Sequence, residues 1–413
     1  MVIGMIASKR FRYLPVSDAV RRVLSQLEIN QWEVEEVPLV DAFGRVLAEE
    51  VKVNFDIPPY DTAHFDGYAV NYEDTLNAAP KNPIYLTVKG YIPPNKIHDL
   101  SIGRGEVYTI STGAYLPRGA NAIIPIESVR LINDGKIEVR HPSKLGDHVI
   151  WKGSDFKFGE IIFTPGHVLR PQDIGLLAYL GFKRIKVYVK PRISIISVGD
   201  ELLSRGFSDH TYVISGLVKE YGGIPIDLGV IGDDVIEIRR ALSRGLEEGD
   251  LVITIGGCSV GKKDLVPDAA MSFSNSKIVV RGLKRVPGRQ TSLAIIDGKP
   301  VLMLPGLIQS MIVGFYSLGI PILRKLTNSL IRNNCIAVRL FRSLELNYMK
   351  PFERVVFGKI IDFNGLPIVK PLTGYSMLRS IVVRSDGFII IPPFETKIDV
   401  NKIFRFNLFR PIL

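Results

Sequence analysis

Between residues 191 and 330, short apolar runs alternate with segments of helical periodicity, and this alternation constrains the fold more than any other feature. The apolar runs read as strands at 193–198, 224–231, 251–255, 277–283, 292–296 and 301–304. Helices fit between them near 211–221, 235–247 and 265–273. Nearly continuous apolar strands with helical crossovers are typical of a parallel sheet that is covered on both faces. We therefore predict a doubly wound α/β domain over 191–330.

Polar or glycine-rich loops follow several of these strands, at the edge where ligands bind in such folds. The middle loop joins two lysines to small residues and an acid, which are Gly256, Gly257, Ser259, Gly261 and Asp264. Glycines allow the backbone to approach a ligand closely, and consecutive N–H groups can surround phosphate oxygens. The loop therefore indicates an anion site, and a tight connection between two elements is the alternative.

Charged side chains near these loops add candidate ligands. Asp200 and Glu201 end the first strand, where they can meet a cation or cap the next helix. Arg285 and Arg289 flank a Pro-Gly turn, which suits either an anionic substrate or a solvated basic turn. Cys258 favours packing over nucleophilic catalysis, because no histidine lies nearby in sequence to activate it.

The segments outside the α/β domain have a different character. Residues 51–150 carry short β-type runs separated by turn signals, so they read as a β-rich domain. After about residue 330, short β runs, including one at 380–384, favour a small barrel or sandwich. Near the N-terminus, the spacing of apolar residues predicts helices at 15–29 and 38–49. A chain of 413 residues with such segments is expected to form two to four domains.

Residues 301–323 form an uncharged stretch of 23 residues, which is long enough to span a membrane. However, Pro305 and Gly306 interrupt it early, and the polar Gln309 follows. We therefore expect a strand, a turn and a buried helix near 308–320, with a membrane span as the less favoured alternative.

The charge and the cysteine content of the chain limit which classes of partner we expect. The formal net charge is +10, and residues 333–413 carry 12 Lys and Arg against 6 Asp and Glu. This balance favours anionic partners, solubility or a thermophilic lifestyle. No nucleic-acid recognition motif is present, so we expect no nucleic-acid partner. Only two cysteines occur, which argues against a zinc site or a disulfide framework and fits a reducing cytoplasm, and no secretion signal is evident.

Six short motifs occur in order along the chain. They are IPPYDTAHFDGYAV at 57–70, STGA at 111–114, GSD at 153–155, SVGDEL at 197–202, GGCSVGKKD at 256–264 and LPG at 304–306. They resemble the motifs IPPFDNSAMDGYAV, TGAPVP, GEDI, STGDEL, GGVSVGEAD and LPGNPVS of the MoeA family of molybdopterin molybdenumtransferases. The C-terminal domain of gephyrin is the eukaryotic counterpart of that family. The resemblance extends over about 15–410.

The resemblance implies a multidomain fold of α/β plus β type. Its parts would be a helical linker (10–56 and 150–190), a β-rich insertion (57–149), a doubly wound α/β domain similar to MogA (191–330) and a C-terminal β-barrel (331–413). It also implies a homodimer, in which the site lies between the α/β domain of one protomer and the β-rich insertion of the other.

The same resemblance implies the reaction and its residues. Adenylylated molybdopterin and molybdate or tungstate would react, with Mg²⁺, to give the metal cofactor and AMP. Glu201 and Asp264 would bind the Mg²⁺, and the catalytic set would also include Asp66, Thr112 and Asp155. The pterin nucleotide and the oxyanion would contact Gly256, Gly257, Ser259, Gly261, Arg285, Arg289, Pro305 and Gly306. The adenylyltransferase of the preceding step is a further implied partner.

The chain departs from the family motifs at several of these positions. The family's NSAM is TAHF at 62–65, KPGKP is VPGRQ at 286–290, and the NP after LPG is replaced by LI at 307–308. A non-catalytic paralogue that binds a pterin or nucleotide, or an assembly scaffold, is therefore the alternative function. An adenylyltransferase that shares only the α/β domain is a third hypothesis, and it is disfavoured because such an enzyme would lack 57–149 and 331–413.

Overall fold

A six-stranded sheet forms the centre of the α/β region. The computed structural model describes residues 11–27, 29, 32–132, 135–257, 265–330 and 334–409. The strands of the sheet are Arg192–Val198 (β1), Ile224–Ile231 (β2), Leu251–Ile255 (β3), Ser276–Arg281 (β4), Ser292–Ile296 (β5) and Lys299–Leu304 (β6). Their order is β2-β1-β3-β6-β5-β4. The sheet belongs to the first of two units, which comprises 1–48, 165–178 and 182–413, whereas the second comprises 49–164 and 179–181.

The direction of one strand differs from the prediction. β1, β2, β3 and β6 are parallel, but β5 runs antiparallel to both of its neighbours, β6 and β4, so that β4 again has the direction of the first four strands. The prediction of a wholly parallel sheet is therefore wrong for β5. Only Asp297 and Gly298 join β5 to β6, and their φ angles are +50° and +80°. A two-residue turn of this kind reverses the chain at once, so it joins antiparallel neighbours.

Helices cover both faces of the sheet. Ile195 of β1 belongs to a core shared with helix Asp209–Glu220. Its neighbour Ile196 points to the opposite face, where helices Val235–Glu248 and Leu265–Met271 pack. This period of two is the one expected for a strand that is buried on both sides. The predicted doubly covered domain and its helices are confirmed.

The uncharged stretch after β6 forms a buried helix. It runs as an α-helix over Ile308–Gly314, a π-helical turn over Phe315–Gly319 and an α-helix over Ile320–Thr327. Every residue from 308 to 320 is buried. The predicted strand, turn and buried helix are confirmed, and the helix continues beyond residue 320. Within the described part of the chain, no helix is long and apolar enough to cross a membrane.

A closed five-stranded barrel follows this helix. Its strands are Cys335–Leu340 (β7), Glu353–Asp362 (β8), Ile368–Leu372 (β9), Gly387–Ile391 (β10) and Phe404–Leu408 (β11). They close in the order β8-β9-β7-β11-β10-β8, and the edge strand Arg285–Val286 pairs with β8. The predicted barrel is confirmed. The strand predicted at 380–384 is wrong, because helix Arg379–Arg384 buries Ile381 in the core of the first unit. Tertiary packing here overrides the β propensity of the segment.

The N-terminal part of the first unit combines one helix with short strands. Helix Val16–Gln26 confirms the first predicted helix. Strand Val34–Pro38 pairs antiparallel with Arg184–Tyr188. The helix predicted at 38–49 is wrong, because only a 3₁₀ turn forms at Leu39–Asp41 before Gly44 adopts a φ of +72°. That left-handed conformation ends helical structure.

A cluster of charged side chains fixes the start of helix Pro171–Tyr179. The buried Asp173 accepts hydrogen bonds from the backbone N–H of Arg170 (2.9 Å) and from its guanidinium (2.8 and 3.0 Å). His167 Nε2 lies 2.7 Å from the same carboxylate. Burial alone raises the pKa of Asp173, but the hydrogen bonds from Arg170 and His167 outweigh it and lower the pKa to about 2. The carboxylate is therefore charged at neutral pH and stabilises the fold.

The second unit is rich in β-structure, as predicted. Its largest sheet has six strands, in the order Ala122–Pro125, Gly67–Val70, Glu106–Ile110, Ile84–Ile92, Lys136–Val139 and Val129–Ile132. Smaller ladders pair Val51–Lys52 with Ile161–Phe163 and Thr62–Ala63 with Val149–Ile150. The sheet buries an apolar core that includes Leu86 and Ile137. The motif residues Asp66 and Thr112 lie at the ends of two of its strands.

Candidate functional site

Glycines bring three strand-end loops of the first unit together. β1, β3 and β6 are parallel neighbours, so their carboxyl ends lie at one edge of the sheet. The N–H of Gly256 donates a hydrogen bond to the carbonyl oxygen of Leu304 (3.0 Å). A Cβ on Gly306 would lie only 3.6 Å from the Cα of Gly256. The loops after β3 and β6, with Gly256 and Pro305-Gly306, are therefore packed backbone against backbone.

The glycine pair after β3 cannot accept side chains. Gly256 has a φ of +92°, and a Cβ there would overlap the carbonyl oxygen of Val198. Gly257 has a φ of +67°, and a Cβ there would lie 2.6 Å from Cγ2 of Val266. This close approach is what a backbone loop needs in order to present its N–H groups to an anion. The predicted loop residues Ser259, Gly261 and Asp264 lie outside the described residues.

The two carboxylates after β1 differ in their surroundings. Asp200 Oδ1 accepts the N–H of Asp233 (2.8 Å), which ties the end of β1 to the loop after β2. The carboxylate of Glu201 lies over the backbone of Gly199, where a Cβ would be 2.6 Å from Oε1. Glu201 is exposed and forms no ion pair with any described residue. Asp200 is therefore held by the protein, whereas Glu201 can bind a ligand.

Glu201 is the described carboxylate that the prediction assigns to a metal at this edge. Within the described ranges, no group of three or more His, Cys, Asp or Glu side chains could hold a metal ion. Carboxylate oxygen is the donor that Mg²⁺ prefers, so Glu201 fits a hard cation chemically. The second predicted donor, Asp264, lies in the part of the loop that is not described, so its distance from Glu201 is untested.

The two arginines of the basic turn have different environments. Arg285 is buried, donates to Glu353 Oε2 from Nε (2.8 Å), and donates to Ser317 Oγ from Nη1 (2.9 Å). Burial lowers the pKa of Arg285, and the Glu353 carboxylate opposes this effect. Because its guanidinium is already paired, Arg285 joins the barrel to helix 308–327. This pairing favours a structural role for Arg285 over the predicted contact with a ligand.

Arg289 remains available to a ligand. It is half-buried and forms no side-chain hydrogen bond or ion pair with the described residues. Its turn packs against the start of the helix that follows Pro305-Gly306, since a Cβ on Gly288 would lie 3.3 Å from the carbonyl oxygen of Ser310. The turn with Arg289 therefore contacts the same helix that begins at the candidate loops.

In the second unit, Asp66 and Thr112 form a pair. Asp66 Oδ1 accepts hydrogen bonds from the N–H (2.6 Å) and the hydroxyl (3.1 Å) of Thr112. Asp66 precedes strand Gly67–Val70 and Thr112 follows strand Glu106–Ile110, and these strands are antiparallel neighbours. Both residues are exposed, so a carboxylate and a hydroxyl are presented together.

Asp155 lies in a turn that is fixed by other acids of the second unit. Its N–H donates to the carbonyl oxygen of Ile57 (3.0 Å), and its side chain is exposed. Asp61 accepts the N–H of Lys152 (2.9 Å), and Asp56 accepts the N–H of Phe158 (2.8 Å). The backbone hydrogen bond to Phe158 is the main cause of the lowered pKa of Asp56. The carboxylate of Asp155 is thus left for a ligand.

Comparison with known proteins identifies the family. The family model "MoeA N-terminal region (domain I and II)" matches residues 14–181, and "Probable molybdopterin binding domain" matches 194–325. A molybdopterin molybdenumtransferase of Nostoc sp. is 31% identical, over 90% of this chain and 88% of its own length. The chain belongs to the MoeA family. A MoeA protein of Pyrococcus horikoshii OT3 has the same fold, with a TM-score of 0.82, 29% identity and coverage of 96% of this chain and 100% of that one. This MoeA-family member is therefore a molybdenum cofactor biosynthesis enzyme of the molybdopterin molybdenumtransferase type.

The MoeA-family motifs do not reveal every residue at the sheet edge. Gln309 is buried, and its amide donates to the carbonyl oxygens of Tyr375 (2.9 Å) and Leu378 (3.2 Å). It thereby holds a barrel segment beside the loop of Pro305-Gly306. The sequence feature that could have revealed this role is the presence of a polar residue, Gln309, within the uncharged stretch 301–323. Asp233 was also missed, although it follows β2 at the same edge.

An aromatic cluster lies near Asp66 in sequence and was not anticipated. The ring of Phe65 packs edge-on against His64 (centroids 4.8 Å apart) and His148 (4.7 Å apart). The N–H of His64 donates to the carbonyl oxygen of His148 (2.9 Å). His64 and Phe65 stand where the family motif has Ala and Met, so this MoeA-family chain has larger rings next to Asp66.

Proposed function

We propose that this MoeA-family chain inserts molybdate or tungstate into adenylylated molybdopterin and releases AMP. The observation that carries the proposal is the close-packed pair Gly256 and Gly257 beside the unpaired Glu201 at the carboxyl edge of the parallel strands. A backbone loop beside a carboxylate suits a phosphate ligand with a divalent cation. Relatives named molybdopterin molybdenumtransferase support the choice of substrate.

In this proposal the backbone of the loop after β3 holds the pyrophosphate. The N–H groups from Gly257 through Ser259 and Gly261 contact the phosphate oxygens, and Pro305-Gly306 forms the facing wall. The N–H of Gly256 is bonded to Leu304, so Gly256 contributes by its close backbone approach. Arg289 binds the terminal pterin phosphate or the tetrahedral metalate through its guanidinium. Arg285 acts indirectly, since it fixes the helix behind the turn.

Glu201 and Asp264 are proposed to hold Mg²⁺ at the pyrophosphate. The bound ion would polarise the scissile phosphate and offset charge on the leaving group. The role of Glu201 is to position oxygen donors at the strand end, and Gly199 leaves space for its carboxylate. No covalent nucleophile is required of the chain.

Asp66, Thr112 and Asp155 are proposed to contact the substrate from the partner chain of a homodimer. Their carboxylates and hydroxyl supply hydrogen-bond acceptors and a donor for a polar pterin, whereas the loop after β3 supplies backbone donors. We further propose that the reaction takes place in the cytoplasm and that the upstream adenylyltransferase delivers the substrate. The chain is proposed to divide into four subdomains, which are 10–56 with 150–190, 57–149, 191–330 and 331–413.

The inward position of Arg285 favours a second candidate function. With this guanidinium paired to Glu353, the turn offers one cation fewer than the family motif KPGKP. A non-catalytic paralogue that binds a pterin or nucleotide, or an assembly scaffold, would tolerate that loss.

Calorimetric titration of the full chain separates the two functions. With Mg²⁺ present, adenylylated molybdopterin should bind more tightly than molybdopterin or AMP alone, because only it places a pyrophosphate on the loop. Molybdopterin and AMP serve as matched controls, since each carries one half of the ligand. Equal, weak affinities for all three would refute the insertase and support the scaffold.

A further inference from the structure

A cleft of about 660 Å³ lies at the edge of the α/β sheet opposite to the candidate loops. Its described lining includes residues 190–192, which lead into β1, Asp250, which precedes β3, and residues 298–300, at the start of β6. The cleft therefore lies where these parallel strands begin, within the first unit. Small-molecule sites typically have volumes of roughly 300–1,000 Å³. The proposed reaction uses the other ends of the same strands and gives this cleft no role.

The cleft has an apolar lining that contains flat rings. Its apolar residues include Leu27, Trp32, Pro191, Pro300 and Leu326. Both prolines are buried, and Trp32 is half-buried. The Nε1–H of Trp32 donates to the carbonyl oxygen of Lys325 (3.1 Å), so this hydrogen bond fixes the orientation of the indole. An indole and two pyrrolidine rings together offer flat apolar surface against which a planar ligand can pack.

Strand register sets a lysine opposite this indole. An antiparallel ladder begins at Val34, and the N–H of Val189 extends it by one residue pair, because it donates to the carbonyl oxygen of Glu33 (2.9 Å). The same register places Trp32 opposite Lys190, and both residues line the cleft. Glu33 also lines the cleft. Since side chains alternate between the two faces of a ladder, its carboxylate leaves the ladder on the face opposite to Trp32 and Lys190.

The fold already uses two charged side chains of the cleft. The ammonium group of Lys299 donates to the carbonyl oxygens of Leu246 (2.6 Å) and Gly249 (3.1 Å). It thereby caps the end of a helix, where carbonyl groups lack partners within the helix. Asp250 Oδ2 accepts the backbone N–H of Arg192 (2.7 Å). These contacts fix the rim of the cleft, and neither of them joins a side-chain cation to a carboxylate.

Two ammonium groups beside the indole have no carboxylate partner among the described residues. Nζ of Lys325 lies 6.0 Å from the ring centroid of Trp32, at the distance of a cation–π contact. Lys190 is exposed. Neither lysine forms an ion pair with a residue in the described part of the chain. The surroundings of the indole therefore carry an excess of positive charge, which an anionic ligand would balance.

We propose that the cleft is a second ligand site, which binds a flat aromatic anion with its ring packed on Trp32 and its acidic group beside Lys190. The flat apolar lining suits the ring, and the unpaired ammonium group suits the acid, since hydrogen bonds between two charged groups are short and strong. An aromatic cation is the less suitable occupant, because it would meet the charges of Lys190 and Lys325. The site is separate from the proposed insertase reaction, because the candidate loops lie at the opposite ends of the strands.

The test uses two probes that share one ring system. Naphthalenesulfonate is the anionic probe, naphthalenemethanol is its neutral counterpart, and calorimetry gives the affinity of each. The chain has two tryptophans, so Trp151→Phe leaves Trp32 as the one indole, and fluorotryptophan incorporated there reports probe binding by fluorine NMR. Lys190→Glu is the test variant. Lys183→Glu is the matched control, since it makes the same change in net charge at another exposed lysine of the same segment.

Naphthalenesulfonate should bind more tightly than naphthalenemethanol and should shift the fluorine resonance of position 32. Lys190→Glu should weaken naphthalenesulfonate binding by about 5- to 20-fold, because an attractive pair worth up to about 5-fold becomes a repulsive one. The same change should alter the affinity for the uncharged naphthalenemethanol by less than about 2-fold. Lys183→Glu should alter either affinity by less than about 2-fold, because it lies roughly 20 Å further along the extended segment, beyond the screening length of about 8 Å.

Equal losses in the two variants would show an effect of net charge alone and overturn the proposal. Absence of naphthalenesulfonate binding, or an unshifted fluorine resonance at saturation, would also overturn it, since the probe would not then contact Trp32. Glu201→Gln should keep the wild-type affinity for naphthalenesulfonate, because Glu201 lies at the opposite edge of the sheet. A loss of affinity in that variant would place the probe at the candidate loops and refute a separate site.

Discussion

Replacing Arg285 by Met should destabilise the fold without weakening ligand binding. The side chain of Arg285 is 11% exposed, and Nη2 lies 2.7 Å from Glu353 Oε2. Removing one partner of a buried ion pair costs about 3–5 kcal/mol, because the other charge stays buried. The carboxylate of Glu353 is 29% exposed and can regain water, so we expect the lower end of this range, about 3 kcal/mol. Met keeps the apolar contacts of the aliphatic part of the Arg285 side chain, so the measured destabilisation reports mainly the loss of the charge.

Arg289→Ala is the matched comparison for that variant. It should weaken binding of adenylylated molybdopterin by about 1.5–3 kcal/mol, the scale of a hydrogen bond to a charged group. Its free energy of unfolding should change by less than about 0.5 kcal/mol, since Arg289 has no described partner. Urea denaturation followed by fluorescence gives the stabilities, and calorimetry gives the affinities. The reasoning is refuted if Arg285→Met weakens binding as much as Arg289→Ala and leaves the urea midpoint unchanged.

Three further perturbations test the fold and the site. Gly256→Ala should destabilise the chain by about 2–4 kcal/mol in urea denaturation, through strain and overlap, whereas Gly216→Ala on an open helix face should be neutral or stabilising. Asp173→Asn should destabilise by about 2 kcal/mol at pH 7. Its difference from the wild type should decrease progressively as the pH falls from about 4 to about 2, because in this range the unfolded chain binds a proton at Asp173 that the folded chain, with its lowered pKa, does not bind; a pH-independent difference contradicts this. Mixed Asp66→Ala and Glu201→Ala chains should regain part of the activity if the site is shared, and proven subunit exchange without recovery would argue against sharing.

Strand and helix positions of the α/β domain could be predicted because buried strands and amphipathic helices have clear periodicities. Strands 224–231, 251–255 and 292–296 were predicted at their observed bounds. Strand direction was harder, because it depends on how short the connections are. The Asp297-Gly298 hairpin was visible in the sequence, and it was the signal for antiparallel strands.

Local propensity failed where packing decided the structure. Segment 380–384 is rich in β-branched residues, yet it forms a helix because Ile381 is buried in the core of the first unit. At 38–49 the helical stripe was misleading, since Val40 is 85% exposed and Phe43 is 65% exposed. Neither outcome could be read from periodicity alone.

The candidate site was predictable as a set of strand-end loops, but the partners of its side chains were not. Arg285 and Glu353 are far apart in sequence, so no local pattern shows that the guanidinium is already paired. The same holds for Asp66 and Thr112, whose hydrogen bonds join distant motifs. The family resemblance named these residues, and the structure shows which of their side chains are paired within the described part of the chain.

The most direct test of the proposed insertase is the release of AMP from adenylylated molybdopterin in the presence of Mg²⁺ and molybdate. The wild type should release AMP when the metalate is added. Glu201→Gln should be slower by about 10- to 100-fold, the scale for disturbing the protein environment of a metal, with ligand affinity little changed. Asp200→Asn is the matched control and should retain most of the rate, because Asp200 is engaged with Asp233. A wild type that binds the substrate but releases no AMP, or a Glu201→Gln variant as fast as the wild type, would contradict the proposed role of this sheet edge.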